Sequence, residues 1–81
     1  MKGVNLTLEN IFDYGHILPK YALYAVWSTK ERKGIKGVNA VICTFSENNG
    51  LDPWDANGYD EVAWLDEFPP NEIKIQFLEE L

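Results

Sequence analysis

Three adjacent carboxylate pairs, Asp60-Glu61, Asp66-Glu67 and Glu79-Glu80, are the residues of this chain best suited by type to acid–base chemistry. Glycoside hydrolysis, for example, uses two carboxyl groups, one of them desolvated enough to keep its proton near neutral pH. Neighbours on a strand point to opposite faces, however, and a chain of 81 residues rarely folds around a cleft deep enough to desolvate a substrate. Nucleophilic catalysis needs a Ser, Cys or Thr beside an oriented base. His16 is the only histidine and Cys43 the only cysteine. His16 follows Gly15 in an apolar stretch, where a structural or helix-capping role is expected, and Cys43 falls in the strand-like VNAVICTF, where a small core residue is expected. These residues predict a protein that is not an enzyme.

Metal chemistry has little to work with. One Cys and one His cannot build a zinc site of the usual kind, and no intrachain disulfide can form. DPWDANGYDE has the acids of a calcium loop but not their order. Aligning Gly58 with that loop's obligatory glycine leaves Asp55 and Asn57 at ligand positions, yet puts Pro53 at the first ligand and Trp64 at the final bidentate acid. GIKG lacks the spacing of a phosphate-cradling glycine loop. No metal and no cofactor are expected.

Charge is distributed unevenly. Residues 1 to 46 carry six bases against three acids, a net of +3, whereas residues 47 to 81 carry ten acids against Lys74 alone, a net of −9. Residues 51 to 72 concentrate seven of those acids beside Trp54, Tyr59, Trp64 and Phe68. Aromatic side chains supply much of the affinity of protein interfaces, and rim carboxylates accelerate encounter with a basic partner. The sequence therefore predicts a partner-binding face built from Asp52, Trp54, Asp55, Tyr59, Asp60, Glu61, Asp66 and Glu67, with Trp54 as an exposed anchor and Trp64 in the core. The expected partner is a basic protein surface such as a nucleic-acid enzyme. Duplex DNA carries about one charge per 1.7 Å of axis, so nine net charges spread over a body about 30 Å across reach about half that density, enough for partial DNA mimicry. Small acidic proteins of this kind are often inhibitors from phages or mobile elements, of the anti-CRISPR or nuclease-immunity type, an analogy of class rather than of sequence.

The alternative is a small nucleic-acid-binding protein that grips phosphates with Lys30, Arg32, Lys33 and Lys36, with Tyr21, Tyr24 or Trp27 as a stacking platform. The acidic half would repel the same polyanion, which makes nucleic acid the less favoured partner. MKGVNLTLEN turns polar too early for a secretory signal, and the longest apolar run, YALYAVW, is far short of the roughly 20 residues that span a bilayer. No membrane association and a reducing cytoplasm are expected.

The elements that would position these groups read as a single α+β domain covering residues 1 to 81. Thr7 as N-cap and Leu8, Ile11 and Phe12 on one face predict a short N-terminal helix over 8–14, closed by Gly15. YALYAVWST predicts a central strand covered on both faces, and residues 38 to 45 a second strand with Val41, Cys43 and Phe45 on one face. KERKGIKG would be a long hairpin loop between them. Asn57-Gly58 predicts a hairpin turn, EVAWL a strand after it, and IKIQF a final strand with Ile73, Ile75 and Phe77 inward, although the tail could also be read as a helix. The whole would be a helix packed on a four- or five-stranded antiparallel meander, whose exposed edge strand offers a route to a homodimer.

Overall fold

The structure, a computed structural model, describes residues 4–31, 33, 34, 40–55 and 58–81. It is an α+β fold in which five antiparallel strands carry one α-helix: β1 (Leu6–Thr7), β2 (Ala22–Ser28), β3 (Val41–Ser46), β4 (Gly50–Pro53), α1 (Tyr59–Leu65) and β5 (Ile73–Glu80). The radius of gyration is 12.0 Å, and the molecule measures 36 × 26 × 21 Å. Among the described residues, no helix is long and apolar enough to cross a membrane.

The sheet order is β1-β5-β2-β3-β4. β2, β3 and β4 do form a meander, but β5 returns across the sheet to pair with β2 along its whole length and with β1 on its other side. The expected simple meander is thus corrected by a crossover that places the C-terminal strand in the interior. Both β2 and β5 become central strands, which suits their dense apolar content. β5 runs to Glu80, so the helical reading of the tail is excluded, and Leu78 is the extra residue of a bulge where Leu23 pairs with Glu79 but Tyr24 with Phe77.

Strand alternation sorts the side chains into two faces. On one, Tyr24 and Val26 of β2 meet Val41 and Cys43 of β3 and Ile75 and Phe77 of β5 in direct register. Leu6, Phe45 and Ile73 complete this face, and Ile11, Leu65 and Phe68 pack on it from outside the sheet. The Tyr24 and Phe77 rings meet edge to face at 5.9 Å. The other face presents Thr7, Leu23, Ala25, Trp27, Ile42, Thr44, Lys74 and Gln76, of which Ile42, Lys74 and Gln76 are exposed.

Three local expectations are overturned. The N-terminal helix over 8–14 is instead β1, a turn and a 3-10 helix at Ile11–Tyr14. Thr7 does make the reciprocal bonds of a cap: its hydroxyl accepts the Asn10 N–H at 3.3 Å, and the Asn10 side-chain oxygen accepts the Thr7 N–H at 2.8 Å. Yet Thr7 pairs with Lys74 and the Leu8 N–H donates to the Ile73 carbonyl at 3.0 Å, so the backbone entering the turn is held by the sheet.

EVAWL, expected as a strand, is the body of α1. Val62, Leu65 and Phe68 recur every third residue and turn inward, whereas Asp60 and Glu61 lie in the first turn, where carboxylates are favoured by the helix dipole. The hairpin expected at Asn57-Gly58 is likewise absent: Gly58 caps α1 with φ −78°, and Asn57 lies outside the described residues. The hairpin of this region joins β3 to β4 instead, with Ser46 paired to Gly50, whose φ of +70° suits glycine.

Candidate protein-binding surface

α1 is short, and its two sides differ sharply. Leu65 is buried and Val62 half-buried against the core, while Tyr59 and Trp64 are 59% and 57% exposed. Asp60 lies one turn before Trp64 on the outward side, at the i, i+4 spacing that makes helical neighbours. Backbone bonds from Asp66, Glu67 and Phe68 to Val62, Trp64 and Leu65 continue the turn beyond the helix. They bury Phe68 and leave Asp66 and Glu67 exposed. Tyr59, Asp60, Trp64, Asp66 and Glu67 thus all reach solvent from one helical segment that contains no Lys or Arg. Glu61 is half-buried, with its Oε2 enclosed and without a hydrogen-bond partner among the described residues.

Gly58 makes this placement possible. A Cβ there would lie 3.0 Å from Pro53 Cβ and 3.1 Å from Val41 Cγ1, so the bare glycine lets α1 begin tight against the β3–β4 edge on the core side of the sheet. The preceding residues turn the other way. Thr44 and Asp52 pair on the second face, and the Trp54 N–H donates to the Ile42 carbonyl at 2.9 Å, extending the β4 alternation by one residue. Trp54 is 58% exposed. Asp55 is exposed and its carbonyl accepts the Gly58 N–H at 2.9 Å, closing the bend into α1. Asp52 and Trp54 therefore lie around the sheet edge from the α1 group rather than on the same plane.

Trp64 is the correction within this surface. It was expected in the core because VAWL reads as a strand, whereas at helical period the inward positions are Val62 and Leu65 and Trp64 turns out to solvent. Reading Asp60-Glu61 as a helix-start signal would have revealed it.

The other candidate groups are far from reactive geometry. Cys43 is fully enclosed, and burial, aided by the nearby Asp52 charge, pushes its thiol up to about 11, while His16 is exposed. A thiol held that firmly protonated is no nucleophile near neutral pH. Tyr24 is buried with its hydroxyl unpartnered among the described residues, and desolvation raises its pKa. Among the described residues, no group of three or more His, Cys, Asp or Glu side chains is arranged to hold a metal. Of the basic loop, Lys30 lies 3.8 Å from Glu72 and Lys33 is exposed; Arg32 and Lys36 lie outside the described residues. No protein-family model, no curated protein and no solved structure matches the chain.

Proposed function

We propose that the protein is a non-enzymatic inhibitor or adaptor that presses the outward side of α1 onto a basic protein surface, with Trp64 and Tyr59 as anchors and Asp60, Asp66 and Glu67 as the charged rim. Asp52, Trp54 and Asp55 extend the contact around the β4 edge. The observation that carries this reading is the exposure of two large aromatic rings, Tyr59 and Trp64, within a helical segment whose charged residues are all acids. Aromatic rings are enriched in the buried centres of protein interfaces, and carboxylates around them favour a cationic partner.

A nucleic-acid enzyme, occupied in its polyanion channel, is the class of partner that this chemistry suits best. The nine net negative charges of residues 47 to 81, set against the molecule's 36 Å long axis, give less than half the linear density of duplex DNA. Charge therefore supplies attraction and the aromatic rings supply selectivity. An inhibitor of the anti-CRISPR or nuclease-immunity type is the class-level analogy for such a protein. Affinity capture from a lysate of the source organism, at low and high salt with mass-spectrometric identification, tests the reading. A basic protein that is retained at low salt and displaced by added duplex DNA or RNA is expected. Retention only of acidic proteins, or none at either salt concentration, would refute it.

A further inference from the structure

A groove of about 940 Å³ runs over β1, β5 and β2, where Trp27, Lys74 and Gln76 of its lining belong to the face away from α1. This is the size of a small-molecule site, about 300–1,000 Å³, although it is open on one side. Trp27, half-buried, forms one wall, Asn5, Thr29, Lys74 and Gln76 contribute exposed polar side chains, and Val4, Leu6, Ile75 and Phe77 line the rest. Their positions follow from the register. Trp27 pairs directly with Lys74, Ala25 with Gln76, and Thr7 with Lys74, so these side chains share the second face. None of the polar side chains of Asn5, Thr29, Lys74 and Gln76 hydrogen-bonds or ion-pairs with any described residue.

We propose that this groove binds one nucleotide unit, its base stacked on Trp27 and its phosphate on Lys74. The composition selects the ligand. Inorganic phosphate would have no use for the indole wall, and an apolar chain none for a lysine and two carboxamides. An acidic peptide would call for several cations where the groove holds one. A planar heteroaromatic ring with a polar edge and a single attached anion uses the indole, the lysine and the carboxamides together, because the Asn5 and Gln76 amides both donate and accept and can therefore read a base edge.

The acidic character of the molecule does not forbid it. α1 and its carboxylates lie on the other face of the sheet. On the groove's own face, Asp52 is three strand spacings from Lys74, about 14 Å, and Glu79 is five residues along β5 from Lys74, about 17 Å. Both exceed the Debye length of about 8 Å at physiological salt. Glu72, two residues before Lys74, lies nearer; one of its oxygens is 3.8 Å from Lys30 Nζ, and the other is enclosed without a hydrogen-bond partner among the described residues. The site is independent of the α1 surface, so either can fail without the other.

The test uses the full chain, isotopically labelled, titrated with thymidine monophosphate and separately with a short oligothymidylate. Saturable shifts of the Trp27 indole and the Lys74 and Gln76 amides are expected. Response to the mononucleotide identifies a free nucleotide as the ligand, and response to the oligomer alone identifies single-stranded nucleic acid. Trp27→Leu should weaken binding about tenfold or more through lost stacking. Lys74→Gln, on an exposed position that leaves folding intact, should lower the slope of log affinity against log salt by about 0.7. Absence of saturable shifts with both probes overturns the proposal, as does binding that both variants leave unchanged.

Discussion

The two faces of the sheet are built from the same strands, alternate residue by alternate residue, yet they have opposite fates. Val26, Cys43, Ile73 and Ile75 are almost wholly enclosed, whereas their immediate neighbours Ile42, Lys74 and Gln76 are exposed. The first face gains its cover from three short pieces, the 3-10 helix through Ile11, α1 through Leu65, and the turn through Phe68. Stability is thus concentrated on one side of β2 and β5. Among the described residues, the second face presents Lys74 and Gln76 to solvent, and the outward side of α1 presents acids and exposed rings.

Adjacent positions on β5 should break the molecule very unequally. Ile75→Ala should cost about 2–5 kcal/mol, because it opens a cavity between Val26 and Leu6 in the register. Gln76→Ala should stay within about 0.5 kcal/mol. Urea denaturation of the two variants measures the contrast directly, and equal losses would mean that both faces are packed.

Alkali should attack the enclosed face selectively. The Cys43 thiol is raised from its ordinary 9.0 to about 11, and the Tyr24 hydroxyl is raised above 10.0. In the unfolded chain both groups release their protons earlier, so their contribution is intact below pH 9 and declines as pH rises from about 9 through 11. Thermal melts across that window should show falling stability, shallower in Cys43→Ala relative to its own value at pH 8.

Gly50→Ala should cost about 1 kcal/mol from the left-handed backbone alone, since nothing lies within 4 Å of a Cβ placed there. Trp64→Ala, despite removing the largest kind of side chain, should change stability by no more than about 0.5 kcal/mol, because its ring faces solvent. Equilibrium unfolding distinguishes that outcome from the several kcal/mol expected of a core tryptophan.

How far these contrasts were legible in the sequence varied with the element. The strands at Ala22–Ser28 and Ile73–Glu80 were readable because β-formers and alternation agree there, and Val41, Cys43 and Phe45 fell on the predicted face. The crossover was not readable, since the pairing of β5 with β2 is a contact between distant parts of the chain. α1 was missed because Val62 and Trp64 favour strands locally, and burial of Val62, Leu65 and Phe68 at helical spacing overrode that preference. The same error hid Trp64. Exposure of Trp54 was visible in DPWD, whereas its separation from the α1 acids around the sheet edge depends on the direction in which Gly58 admits the helix.

The central claim, that the acidic and aromatic side of α1 engages a basic partner, is tested most directly by charge reversal. Lysine at Asp55, Asp60 and Asp66 should abolish capture of the partner retained by the unaltered protein at low salt, with the far-ultraviolet circular-dichroism spectrum unchanged. Capture that survives the triple substitution in a chain that still folds would contradict it.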